Sequence, residues 1–201
     1  MPPTARPTNT QYDGVSITLH WTTALLVVSL YGLAQLWDLP GKDTPLSERM
    51  QGWHVSLGIV LAVLLVFRLA WRATHPAPQE TDPKSLMIRL AHLAHWGLYA
   101  LLLALVPLGF AIRWSGNHPL SFFGLIDIPA AFRLARPNAR SARELHELAA
   151  NILMALAGLH AAAALFHQYV LRDGVLARML PAAWLSRLGL SPGNTQMLEP
   201  R

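Results

Sequence analysis

The chain has 201 residues, of which 53% are hydrophobic and only 13% charged, with a mean hydropathy of +0.32. Soluble domains carry about a quarter charged residues, so this composition argues for a bilayer protein. The absence of cysteine excludes disulfides, thiolate zinc sites, cysteine-ligated iron–sulfur clusters and covalently attached c-type haem.

The N-terminal segment, 1–15, is polar and rich in proline. Four apolar stretches follow, over about 16–36, 51–71, 90–112 and 144–171. Each meets the length of about 20 residues that a helix needs to cross a bilayer. Backbone groups inside lipid must bond within the segment, which predicts helices rather than strands. The first stretch is too long for a signal-peptide core and has no clear small-residue cleavage site, so it reads as a retained helix. Proline and glycine fall in the connections, the longest running from Arg113 to Arg143, where a small cap at the membrane surface is expected. The last part, 172–201, holds a short amphipathic piece and a polar end.

Short connections predict an all-α membrane protein, an up-down bundle of four transmembrane helices spanning 16–171, with both termini on one side. That side carries nine Lys and Arg against seven on the other, which puts the termini in the cytoplasm by a narrow margin. The net charge of +5 sits between apolar runs and suits headgroups or an anionic substrate better than nucleic acid. Four arginines, Arg133, Arg136, Arg140 and Arg143, crowd the side the rule disfavours and need a separate explanation.

Ionisable residues within spans are costly and point to function. His20 lies near the start of the first span, His54 near the start of the second, and His146 and His160 on the fourth. His160 stands 14 residues after His146. That is about 21 Å along a helix axis and within about 40° of the same face. One face thus presents two imidazoles at two depths, where His146 can meet His54 and His160 can meet His20. Two imidazoles clamping one iron is the bis-histidine b-type haem arrangement, which gives two haems in all. For any one histidine alone, a helix–helix hydrogen bond is the plainer explanation. A dinuclear metal site would want carboxylates at lipid depth, which are nearly absent.

Arg68 stands 14 residues after His54 and could pair with a propionate of the His20–His160 haem, or simply snorkel. His167, two turns beyond His160, is a second propionate candidate. Gly58 and Gly158 could let a flat macrocycle approach, or serve ordinary helix packing. Arg140 and Arg143 could neutralise propionates of the other haem, or belong to a solvated loop. His92 and His95, with Lys84 and Arg89, form a candidate quinone-side group at the terminus end.

The segments LHW around His20, GWHVSLGI around His54, LAHLAHWGLY opening the third span, ARELHELAAN around His146 and GLHAAAALFHQYV around His160 resemble the prokaryotic cytochrome b-561 family. The resemblance covers about 12–181 and is nearest the superoxide-oxidising branch. It implies haem ligation by His20, His54, His146 and His160, and electron transfer from superoxide to ubiquinone in the inner membrane. The alternative is a cytochrome b subunit passing electrons between quinone and a partner hydrogenase or dehydrogenase. A non-redox reading is a histidine-bearing metal-ion carrier.

Overall fold

The computed structural model describes residues 11–75, 86–115, 120–130 and 134–187. Lys84 and Arg133 lie outside them. Four long helices dominate: α1 (Gly14–Leu36), α2 (Pro45–Thr74), α3 (Leu86–Ser115) and α4 (Arg136–Phe166). All four are long and apolar enough to cross a membrane. Helix α1 packs mainly on α2, and α3 on α4.

Most of the large apolar side chains face outward. Leu25, Val63, Val66, Leu93 and Leu159 are each at least two-thirds exposed, which suits contact with acyl chains. The interior is thin. Leu30, Leu61, Leu65, Leu102, Leu105 and Leu153 form its central cluster. Leu153 is seven residues from both His146 and His160, so this leucine layer separates two polar levels. Tyr31 donates to Asn151 Oδ1 at 2.9 Å and ties α1 to α4.

Helix starts are built by local chemistry. Asp13 caps α1, accepting from the Ser16 N–H at 2.9 Å and the Ser16 hydroxyl at 2.6 Å. The same carboxylate accepts from Trp71 Nε1 at 3.2 Å, pinning the end of α2 to the start of α1. Thr44 caps α2, with Pro45 in its first turn. Helix α4 ends in a single wide turn over His167–Leu171, closed by Arg172 at φ 55°.

The connection between α3 and α4 holds an antiparallel hairpin, β1 (Leu120–Phe122) and β2 (Ile126–Ile128), an element the helix-only expectation lacks. Its strands are too short for a period-2 pattern to register. The turn places Phe123 and Gly124 at positive φ, 50° and 73°. Ser56, fully buried on α2, anchors it: the hydroxyl accepts from the Phe123 N–H at 2.8 Å and donates to the Gly52 carbonyl at 2.9 Å.

The segment after α4 folds back on the start of α1. Trp21 Nε1 donates to the Met179 carbonyl at 2.8 Å, the Tyr12 N–H to Arg178 at 3.2 Å, and Gln11 to Leu180 at 3.2 Å. A short helix, α5 (Ala182–Arg187), sets Trp184 6.4 Å from Trp21, and Leu180 and Leu185 are buried beneath it.

Two measurements check these anchors. Ser56→Ala leaves the Phe123 N–H without its acceptor at a cost of about 1–3 kcal/mol, read as a lower melting temperature and faster amide exchange at Phe123. Asp13→Ala costs about 1 kcal/mol. The Ser16 hydrogen bonds hold the Asp13 carboxyl below its ordinary range, so its contribution is present near neutral pH and disappears as pH falls through the lowered value. Asp13→Asn is therefore expected to flatten the acid side of the melting profile.

Candidate functional site

Two groups of imidazoles occupy the two levels. At the level near the hairpin, His54 of α2 faces His146 of α4, with ring centres 6.4 Å apart and planes at 69°. At the level near the termini, His20 of α1 faces His160 of α4, with centres 6.3 Å apart and planes at 68°. All four rings are at least partly buried.

These spacings can be tested against a metal. A metal–imidazole bond of about 2.0 Å, plus about 1.1 Å from nitrogen to ring centre, sets two imidazoles on opposite sides of one ion about 6.2 Å apart. Both pairs fit. A direct N–H···N bond between two rings would bring the centres to about 5.1 Å, shorter than either pair. The carboxylates a dinuclear site would need are missing: among the described residues no group of three or more His, Asp or Glu could hold an ion.

The surroundings of the His54 pair support ligation. His54 Nδ1 donates to the Leu30 carbonyl at 3.0 Å. A carbonyl can only accept, so the proton sits on Nδ1 and the Nε2 lone pair is left for a metal. Trp37 packs edge-on at 5.4 Å from the His54 ring. The buried Nδ1 of His146 has the Leu105 carbonyl beside it, outside ordinary hydrogen-bond limits. Gly109 of α3 borders this ring: a methyl group on it would sit in van der Waals contact with His146, at 3.4 Å. Nothing in the sequence singled out Gly109, because its role is a close approach between helices distant in the chain.

The other level is built from side chains. Arg68 of α2 donates through Nε to the Tyr99 hydroxyl at 3.0 Å and through Nη1 to the Leu19 carbonyl at 3.4 Å, while Nη2 lies 3.3 Å from His20 Nδ1. Its guanidinium also sits 5.4 Å from the centre of the Tyr99 ring. His95 of α3 reaches the same level, with its ring centre 5.1 Å from that of His160. Trp21, held by the C-terminal segment, packs edge-on at 5.4 Å from His20. Gly58 and Gly158 border open space, since a methyl group on either would meet nothing within 4 Å.

The remaining candidates are more scattered. His167 Nδ1 pairs with Asp173 in the turn that ends α4, so its ring is already engaged. Arg136 opens α4, and Arg143 lies one turn before His146. Arg140 pairs with Glu144 at 2.9 Å, with both side chains well exposed, which offsets part of the positive cluster. His92 and Arg89 lie on the first turns of α3, further out than His95.

The apolar helices and spaced imidazoles have counterparts in known proteins. The family described as prokaryotic cytochrome b561 matches residues 11–182. The chain is 34% identical over 172 residues to a probable superoxide oxidase, CybB, of Yersinia pestis, covering 85% of this chain and 96% of that one. It is 34% identical to cytochrome b561 homolog 2 of Escherichia coli strain K12, covering 86% and 94%. It is also 32% identical to cytochrome b562 of Cereibacter sphaeroides, covering 84% and 94%. The chain therefore belongs to the prokaryotic cytochrome b561 family, the multi-pass inner-membrane cytochromes that carry b-type haem.

Proposed function

We propose that the protein is a superoxide oxidase that takes electrons from superoxide at the periplasmic face and passes them through two haems b to ubiquinone. The observation that carries this reading is the repeated imidazole spacing at two depths, 6.4 Å for His54–His146 and 6.3 Å for His20–His160. When bound, a haem with two imidazole ligands takes up and releases single electrons and offers no open iron position to oxygen. Two superoxide ions then yield two dioxygen molecules, and one quinone takes up two electrons and two protons to become quinol.

The chain's own residues divide this work. Arg136, Arg140 and Arg143 give a positive field at the His54–His146 end, which raises the encounter rate of a small anion. The probable superoxide oxidase among the relatives is consistent with such an anion. At the terminus end, Arg68 is held by Tyr99 and the Leu19 carbonyl. With a haem held by His20, Arg68 would be the residue to pair with an anionic propionate, since its guanidinium already lies at that level, 3.3 Å from His20 Nδ1. On this reading quinone binds beside the outer turns of α3, near His92 and Arg89, and both termini face the cytoplasm.

The paired ligands make a pattern of loss. His54→Ala and His146→Ala each remove one and the same haem, and His20→Ala and His160→Ala each remove the other. The measurement is haem-to-protein stoichiometry with the reduced-minus-oxidised spectrum. A colourless purified protein ends the reading.

Superoxide reactivity is checked by stopped flow, with haem reduction as the signal. The rate falls with ionic strength and drops about tenfold in the double variant Arg140→Gln, Arg143→Gln. It rises in Glu144→Gln, which frees Arg140 from its partner. Superoxide consumption no faster than spontaneous dismutation overturns this function while leaving the haem assignment standing.

A further inference from the structure

Arg68 brings a charge to the depth of His20, and every acceptor around it is neutral. They are the Tyr99 hydroxyl, 3.0 Å from Nε, the Leu19 carbonyl, 3.4 Å from Nη1, and His20 Nδ1, 3.3 Å from Nη2. Among the described residues no carboxylate pairs with it. A cation within a span is costly until an anion meets it. A second unmet need lies beside the first. A phenol can accept one hydrogen bond and still has its own proton to give. Arg68 donates to the Tyr99 oxygen, and among the described residues nothing accepts the Tyr99 proton. Tyr99 is half-buried against the leucine cluster, where an idle hydroxyl proton is costly.

We propose that Tyr99 and Arg68 form one anion site: the Tyr99 hydroxyl donates its proton to the same propionate that Arg68 neutralises, that of the haem held between His20 and His160. This rests on the haem-ligand reading above. Tyr99 then acts twice. Its oxygen occupies Arg68 Nε, which leaves Nη2 and the second N–H of Nη1 for the carboxylate, and its proton adds one more donor. A carboxylate has lone pairs enough for both residues, and hydrogen bonds to a charged acceptor are the strong ones. The site exists only where α2 and α3 meet, because the two residues stand 31 apart in the chain. Donors on a carboxylate near the iron offset its negative charge and so favour the reduced state.

The test uses the purified holoprotein in detergent. Each haem is followed by redox titration and by the propionate bending band in resonance Raman, which responds to hydrogen bonds on that carboxylate. Tyr99→Phe keeps the ring and removes the donor. In it the band of one haem shifts, and that haem's potential falls by about a threefold change in the reduced-to-oxidised ratio, about 28 mV for one electron. Arg68→Gln lowers the same potential further. Adding Tyr99→Phe to Arg68→Gln moves the band again, because each residue meets the carboxylate itself. In His20→Ala, which leaves the hairpin-level haem, adding Tyr99→Phe changes nothing. If Tyr99→Phe loses the haem, Tyr99→His, which keeps a ring with an N–H donor, retains it.

An unchanged band and potential in Tyr99→Phe overturn the proposal. So does a Tyr99→Phe effect that disappears in the Arg68→Gln background, since the tyrosine would then act only through the guanidinium. Loss of the haem from both Tyr99→Phe and Tyr99→His overturns it too. Retention of both haems in His20→Ala is a different failure, that of the ligand reading itself.

Discussion

An imidazole among acyl chains and leucines costs free energy unless its nitrogens find partners. The architecture of this protein answers that constraint by setting four imidazoles in two facing pairs at two depths. Helix α4 carries both of its histidines on one face because 14 residues nearly complete a whole number of turns. Its partners must come from other helices in matching register, so α1 supplies His20 and α2 supplies His54. Between the levels the buried residues are mostly leucines. The central cluster of Leu30, Leu61, Leu65, Leu102, Leu105 and Leu153 fills that gap without adding a polar group that would itself need satisfying.

The two levels solve the same problem with different chemistry. His54 gives its proton to a main-chain carbonyl, which cannot titrate and hardly moves. At the other level the neighbours are Arg68, Tyr99 and His95, side chains drawn from α2 and α3. A guanidinium close to an imidazole pair favours negative charge at that level. The terminus level is therefore built from side chains that can be changed singly. The hairpin level lacks that adjustability.

The spans and the imidazole spacing were legible in the sequence because each depends on periodicity along one helix. Runs of apolar residues declare their length, and positions 146 and 160 declare their shared face. What was not legible depends on contacts between elements. Gly109 is a neighbour of His146 only because α3 packs beside that ring. The Leu30 carbonyl is invisible in any side-chain pattern. Ser56 resembles any small residue in a span until the hairpin that it holds is in place. His95 was legible as a quinone-side candidate at the terminus end but not as a neighbour of His160, since that contact joins two helices whose rotation the sequence leaves open. The Arg140–Glu144 pair follows from i, i+4 spacing and could be read from the sequence.

Each end of the bundle is covered by a small element that does not span, and the two covers differ in kind. The hairpin is anchored by one buried hydroxyl and exposes Phe123, Leu125 and Ile126, so its tip belongs at the lipid–water boundary. The C-terminal segment is fixed at three separate hydrogen bonds and buries Leu180 and Leu185 against the start of α1, beside Trp21 and His20. Arg68 is half-buried and held by Tyr99 and the Leu19 carbonyl beside His20, while Arg140 is exposed, where pairing contributes little. Equal formal charges at the two ends thus have unequal consequences: a long-range, salt-sensitive field at the hairpin end, and a short-range, directional contact at the terminus end.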